Sequence, residues 1–600
     1  MSARTAFAVA TVSIAFCLIA GSPARLVGDG GEYMAQALNF AALDGPSIGR
    51  QATPLLEARI AAIEPALETW SIEDAAAAGP DLRRDFVHFW FYSLMAAPFV
   101  AAADLVGLSP VHGFTVLNVL LLAAAVWFAG PRLGPAATIL LFASPLVWWI
   151  DKAHTEVFTV ALLAIAFVAM RDRPWLAPIA AGAAATQNPP IALVVAIIIG
   201  VGVLTSGRQM LRDRTYLVAA GIGLGLAALQ PAYTWLRHGT PSLLLRATKP
   251  GLPTISELSA SILDPSMGLV GNYPMLLVAS LAVAVLAVVR ARPALLRPDL
   301  IAAALALPIF LYAFAQTSNP HHGATPSLTR YALWFIALAV PLWRLGFERR
   351  LLPAPVLWTA AVVSAAVSLI AFHPAVSQHA HEPTWLASHL WQHHPRWQHP
   401  LPEVFAETHL RTEGTFVPVA TTNCRKILIQ ADPRGSWPLA CLPAEVPVDC
   451  AGTLCYANRE GDRYTFAHAP GRPAAATFVQ DAAWPTEAEP HVRRILLEFG
   501  WAELADSGLV NLEELRERND VRVAAFRDPS RLLLILQITG RAPLLRLRTT
   551  EAYDGVLYAA RTGEAVSAIQ LEAQTDTLQD VPLPAEHDLY LLPLTRSGSR

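Results

Sequence analysis

Apolar residues in this chain come in long unbroken runs, not in the short periodic patterns of a soluble helix or strand. A membrane span needs about 20 mostly apolar residues, with about 17 as a lower limit. Runs of that order occupy 5–21, 111–130, 134–150, 154–171, 174–189, 190–206, 215–236, 272–290, 299–317, 329–347 and 353–372. Each predicts a transmembrane helix, about eleven in all. Only Gln187-Asn188-Pro189-Pro190 divides 174–189 from 190–206. One more apolar stretch, 88–107, reads as a re-entrant or surface-lying helix, with a twelfth span as the alternative.

The polar breaks between runs set orientation. Short cytoplasmic loops collect Arg and Lys. Arg132, then Arg171 and Arg173, then Arg208, Arg212 and Arg214, then Arg290, Arg292 and Arg297, and last Arg344, Arg349 and Arg350 mark five such loops. With these inside, 150–156, 187–190, 237–271, 317–329 and everything after 373 lie outside. Both ends of 88–107 are then outside as well. The expected organisation is a first transmembrane helix at 1–21, a large first external loop with juxtamembrane helices at 22–110, and a transmembrane bundle at 111–373. An extracytoplasmic soluble domain follows at 374–600. The N-terminus is cytoplasmic, and residues 1–24 read either as a retained anchor or as a cleaved signal peptide.

Beyond 374 the pattern changes. Residues 375–411 are rich in His, Trp and Pro and read as lying along the membrane surface. Short runs of β character follow at 415–421, 426–431, 476–480, 521–527, 532–538, 544–549, 555–561, 567–572 and 587–595, and 493–504 reads as helix or strand. The fold class expected is a mainly α polytopic membrane protein with a C-terminal β-rich (α+β) domain, sandwich-like over 505–600.

Composition agrees with that class. The chain is 54% hydrophobic and 15% charged, where soluble proteins carry about a quarter charged residues. A net charge of −3 offers no basic surface for nucleic acid. Cys424, Cys441, Cys450 and Cys455 gather in the polar tail, which points to disulfides in an oxidising compartment. Three pairings are open, of which 424–441 with 450–455 is the most local. His373, His379, His381, His389, His393, His394 and His399 crowd one segment. The helical pair His389 and His393 suits a metal, but no carboxylate or cysteine pattern accompanies it. Interfacial histidines beside Trp385, Trp391 and Trp397 are the plainer reading.

Candidate chemistry sits in four outer clusters. Asp29-Gly30-Gly31-Glu32-Tyr33 follows the first span and precedes a helical pattern expected to lie on the membrane surface. Two carboxylates there are costly unless solvated, paired or used, and Asp29 is also placed to cap the helix. Asp151, His154 and Glu156 lie in a short loop behind Trp148 and Trp149, where an Asp151–Lys152 pair is the simpler alternative. His321 and His322 precede Thr329-Arg330-Tyr331 at the head of a span, where an Arg suits bidentate phosphate binding. Arg246 and Lys249 precede the turn Asp264-Pro265-Ser266-Met267-Gly268. All four clusters fall on one side of the membrane, which suits a polar acceptor and an anionic lipid headgroup.

Over roughly 1–372 this arrangement resembles the C-type (GT-C) glycosyltransferase superfamily, including uncharacterised bacterial members using polyprenyl-phosphate sugars. Asp29 matches the acidic residue opening the first external loop, and Asp151 or Glu156 matches the second acidic site. Phe89 to Pro98 resembles the juxtamembrane helix, and Thr329-Arg330-Tyr331 is similar to an Arg-Tyr span entrance. The chain lacks the Lys-Pro-Pro-Leu motif, and His88 begins the corresponding stretch. It also lacks a Trp-Trp-Asp signature, since Trp148-Trp149-Ile150-Asp151 differs from it.

The resemblance implies an inverting single displacement in a bacterial inner membrane. A sugar moves from a polyprenyl-phosphate donor to a glycan, lipid or protein acceptor. Asp29 is then the general base, and Asp151 or Glu156 orients the acceptor or helps hold a divalent cation, the one cofactor this reading leaves room for. Arg330, with Lys249 or Arg246, neutralises the phosphate. Glu32, His154, His321, His322 and Tyr331 complete the substrate-binding set. A lipid or solute transporter, and a scaffold displaying the tail domain, are the rival readings.

Overall fold

Proline and glycine, more than the length of each apolar run, decide where the helices end. The computed structural model describes residues 2–376 apart from 21, 23–24, 68–69, 250 and 318–326. Beyond 381 it describes 382–410 and a set of strands between 425 and 597. The chain divides into two units, 1–380 and 381–600.

The first unit is helical. Among the described residues, five helices are long and apolar enough to cross a membrane: Val111–Phe142, Arg214–His238, Pro298–Gln316, Arg330–Glu348 and Ala354–Ala371. Several predicted spans come out shorter. Gly134 leaves helical geometry (φ 73°, ψ 165°) inside Val111–Phe142, so that stretch is two helical pieces meeting next to Arg132. The run 134–150 is helical only to Phe142 and ends in the buried 3₁₀ turn Pro145–Trp149. The run 174–189 shrinks to Leu176–Ala185, and 88–107 becomes Phe91–Leu105 with Pro98 inside it. At 1.5 Å per residue that last helix covers about 22 Å, less than a hydrocarbon core of about 30 Å.

Small residues let the helices approach. A Cβ built on Gly182 would lie 2.4 Å from Gly223 O, and one on Gly223 would lie 2.4 Å from Pro178 O. Backbones therefore touch where Leu176–Ala185 crosses Arg214–His238. Gly223→Ala should cost about 1–3 kcal/mol through overpacking, read as thermal unfolding in detergent. Gly221→Ala, one turn-face away with nothing within 4 Å, is the neutral control.

Gly30–Ala41 forms a helix where the pattern predicts one, and much of it is buried within the protein. Met34, Ala35 and Ala37 are fully buried, and Gln36 and Asn39 are buried with them. The polar side chains go inward because the segment 45–93 folds over them and supplies their partners. Gln36 donates to His88 O (2.8 Å) and accepts from Ser93 Oγ (2.9 Å), while Asn39 donates to Gly45 O (2.8 Å).

The same loop forms the hairpin Ala76–Ala78 with Arg84–Phe86. Asp85 on its second strand accepts from Tyr233 Oη (2.6 Å), Arg237 Nε (2.5 Å) and His238 Nε2 (3.0 Å), all at the end of Arg214–His238. Asp85→Ala should cost about 2–3 kcal/mol, because it removes the acceptor that Tyr233, Arg237 and His238 share in a largely buried place. Faster proteolysis within 79–83, together with a lowered unfolding midpoint, is the expected readout.

Charge sorts the helix ends. Asp172 accepts from Arg132 and from Arg344 (2.9 Å); Glu348 accepts from Arg171 (3.0 Å), Arg297 (2.9 Å) and Arg344 (2.9 Å). Arginines from four of the five basic loops thus meet at one end of Glu156–Asp172 and Trp334–Glu348. Glu156 and Arg330 stand at the opposite ends of the same two elements, about 24 Å away along the helix.

After Ala354–Ala371 the chain is stitched back to the bundle. Lys152 Nζ donates to Pro374 O (3.0 Å), while Trp148 Nε1 (3.0 Å) and Arg25 Nη2 both donate to Val376 O.

The second unit is strand-rich. Four antiparallel strands run in the order Gly435–Ala440, Lys426–Asp432, Leu454–Glu460, Arg463–His468. A five-stranded antiparallel sheet is built from Val521–Arg527, Arg531–Ile538, Leu589–Arg596, Tyr553–Ala559 and Glu564–Leu571. Leu545, Val581 and Leu583, on or beside a smaller three-stranded sheet, join Leu532, Leu534, Leu536, Leu592 and Leu594 of the five-stranded sheet in one apolar cluster. Lys426 is buried under Pro395 O (2.5 Å), His399 Nδ1 (2.9 Å) and Asn458 Oδ1 (2.7 Å). Burial lowers its ammonium to about 7. On the helix Trp385–His393, the His389 and His393 rings lie 4.7 Å apart, and no third metal ligand joins them among the described residues. Trp391 is buried against Phe405, while Trp385 and Trp397 are exposed. Cys455 is disulfide-bonded; Cys424, Cys441 and Cys450 lie outside the described residues, as do the runs 415–421, 476–480 and 493–504.

Candidate active site

Asp29 ends the link from the first helix and stands at the N-cap of Gly30–Ala41. Its carbonyl accepts from Glu32 N (3.0 Å), but its side chain makes no capping hydrogen bond. The positive φ of the turn belongs to Gly28 (49°), while Gly30 and Gly31 are already helical. Without Cβ atoms they sit against Leu26 and Trp70.

The Asp29 carboxylate is instead the centre of a charged cluster. Arg330 Nη1 donates to its Oδ2 (2.6 Å), and the Nε2 atoms of His88 and His154 each lie 3.4 Å from the same oxygen. Among the described residues no hydrogen bond reaches Oδ1. With 22% of its side chain accessible, Asp29 is the most open member; Glu32, His88, Arg330, Glu156 and His154 follow at 12%, 14%, 6%, 4% and 1%.

The two histidines differ in kind. Arg330 Nη1 lies 2.8 Å from His154 Nε2. His154 Nδ1 stands against Glu156 Oε2 and against Thr155 N (3.2 Å). Glu156 Oε1 in turn stands 3.9 Å from Arg330 Nε. His88 places Nδ1 3.0 Å from Glu32 Oε2 while Nε2 faces Asp29. Burial pulls the His88 imidazole down, but Asp29 and Glu32 outweigh it and lift it to about 9. Burial likewise works to raise Asp29, but His88, Arg330 and His154 hold it well below the usual carboxylate range. The Tyr33 ring stands between the imidazoles, 5.4 Å from His88 and 5.5 Å from His154.

Of the residues singled out in the sequence, Asp29, Glu32, His154, Glu156 and Arg330 come together. Asp151 makes none of these contacts: its carboxylate is taken by Lys152 and by Ser22 Oγ (2.7 Å), and both charged residues are buried. Lys249 is buried 3.5 Å from Glu257. Tyr331 packs edge-on against Trp334 with Arg330 over its ring. Asp264 Oδ1 accepts from Ser266 N (2.8 Å) and Met267 N (3.1 Å), and Met267 O accepts from Thr329 N (2.9 Å), so this turn holds the residue before Arg330. Arg246 has its backbone in the turn Leu243–Ala247, but its side chain, like His321 and His322, lies outside the described residues.

His88 is the member that sequence reasoning passed over. Its only signal was a titratable group directly before the aromatic run Phe89-Trp90-Phe91-Tyr92.

Asp29, Glu32 and His88 offer ligand atoms within 4.8 Å of one another. A divalent cation does not fit them as they stand. Both His88 nitrogens already face carboxylates, and the guanidinium on Asp29 would repel the ion. Compared with protein-family models, curated proteins and solved structures, the chain matches none.

Proposed function

We propose that this protein is a membrane glycosyltransferase of C-type architecture, moving a sugar from a polyprenyl-phosphate donor to an extracytoplasmic acceptor. The observation that carries the reading is the meeting of Asp29, Arg330, His154 and Glu156 at the helix ends opposite the arginine-rich end. By the positive-inside rule the arginine-rich end is inside, which leaves the cluster on the outer side. The eleven-span topology, a bacterial inner-membrane location and an outward C-terminal unit belong to the same proposal, and the disulfide at Cys455 suits an oxidising compartment.

In this reading the acceptor hydroxyl approaches Asp29 Oδ1. Its oxygen attacks the anomeric carbon, the bond from that carbon to the phosphate oxygen breaks, and the hydroxyl proton passes to Asp29. The electron pair leaves with the polyprenyl phosphate, whose charge Arg330 meets. Glu156 and His154 hold the guanidinium in place. The charge of Lys249 is committed to Glu257, so Arg330 is the chief phosphate partner.

A transporter is the rival because Gln187, in the break before Ile191–Ser206, is buried with both amide atoms unpartnered among the described residues. Full-length protein in proteoliposomes, given a labelled polyprenyl-phosphate sugar and an acceptor extract, separates the two. Release of polyprenyl phosphate coupled to acceptor labelling is expected. Movement of intact donor across the bilayer without bond cleavage would sink the transferase reading.

A further inference from the structure

Asp29 Oδ2 is approached by two cationic groups from different elements: Arg330 Nη1 at 2.6 Å and His88 Nε2 at 3.4 Å. His88 also points Nδ1 at Glu32 Oε2, 3.0 Å away. Only a doubly protonated ring carries a donor on both nitrogens, so a ring set between two carboxylates is an imidazolium. A carboxylate oxygen between a guanidinium and an imidazolium occupies the position that a phosphoryl oxygen would take, since both are compact anionic acceptors.

We propose that His88 and Arg330 form a two-cation cradle for a phosphate group, and that Asp29 fills this cradle until the phosphate displaces it. The inference rests on the reading of Arg330 as the phosphate partner and adds His88, Glu32 and an order of events. When phosphate draws both cations from Oδ2, Asp29 loses the groups that suppress its basicity. The base is then released only when the donor is bound, so donor precedes acceptor. Glu32 is a positioning residue that keeps the His88 ring charged and turned toward Asp29.

The groups facing His88 are Asp29 and Glu32, with Arg330 beyond Asp29; His154, Glu156 and Tyr33 stand behind them. Its charge persists below about 9 and is lost as pH rises through that value. Phosphate affinity should therefore fall between about pH 8 and 10, a range in which inorganic phosphate keeps a constant dianionic charge.

The test is binding of inorganic phosphate, and of a prenyl monophosphate in nanodiscs, to the full chain. Asp29→Asn should bind both about tenfold more tightly, because the built-in competitor has lost its charge. His88→Gln should bind both about tenfold more weakly, with the pH 8–10 transition removed. If His88→Gln does not fold, Glu32→Gln serves, moving the transition down from about 9 toward 6.5. Tighter binding of the prenyl phosphate than of inorganic phosphate makes the ligand a lipid phosphate; the reverse makes it a soluble one. Weaker phosphate binding in Asp29→Asn, an unchanged pH profile in His88→Gln, or loss of binding on adding EDTA overturns the cradle. Intact donor crossing uncleaved, with this binding pattern present, would remove the transferase reading and leave the cradle standing.

Discussion

If the proposed transferase reading holds, Asp29→Asn should lower sugar transfer about 10³-fold while the protein unfolds at nearly its normal temperature. A positioned general base is worth about 10²–10⁴ in rate, and an amide cannot take the acceptor proton. Charge counting explains why the fold survives. The cluster holds Asp29, Glu32 and Glu156 against Arg330 and His88. Removing the Asp29 charge leaves two anions and two cations, and the oxygen of the introduced amide still accepts from Arg330. Transfer from the lipid-linked donor, with thermal unfolding measured on the same preparation, checks the result. Transfer within a factor of about three of wild type would remove Asp29 from the reaction.

Arg330→Met has the opposite character. It strands three carboxylates against the single cation His88, in a place where Glu156 is 4% exposed. Removing one partner of a buried ion pair costs about 3–5 kcal/mol, so the variant should unfold early in a denaturant titration and lose transfer altogether. Arg330→Lys keeps the charge, but one ammonium cannot serve Asp29, His154 and Glu156 together; it should keep most of the stability and little of the transfer. The pH dependence is specific. The Asp29 carboxyl is held below its ordinary 3.8 in the fold, so its stabilising contribution is complete above that value and fades as pH falls toward the lowered one. The stability gap between wild type and Arg330→Met is therefore widest near neutrality and narrows below about pH 4.

The sequence marked charges at the edges of apolar runs better than it marked where the helices between them end. Asp29, Glu156 and Arg330 were visible because each is a charge at the edge of an apolar run, where water is scarce and a partner is needed. Asp151 has the same local signature, yet it pairs with Lys152. Which of two neighbouring carboxylates enters the cluster depends on the turn after Trp149, and no periodicity encodes that. His88 lies far from Asp29 in sequence and reaches it only because the segment 45–93 folds onto Gly30–Ala41. The burial of that helix escapes the sequence for a related reason. Gln36 and Asn39 look like water-facing positions until the loop supplies their partners. Run lengths overstated the helices at 134–150 and 174–189 because hydropathy ignores the backbone limits set by Gly134, Pro135 and Pro145.

The stitch after Ala354–Ala371 has a mechanical meaning. Three donors, Lys152, Trp148 and Arg25, grip the two carbonyls of Pro374 and Val376. A pull on the chain beyond 376 loads these bonds together before it loads the last apolar helix, much as a clamp spares a cable's joint. Arg25 is four residues from Asp29 and bridges to Lys152. Tension in the C-terminal chain is thus carried into the strand of backbone on which Asp29 sits.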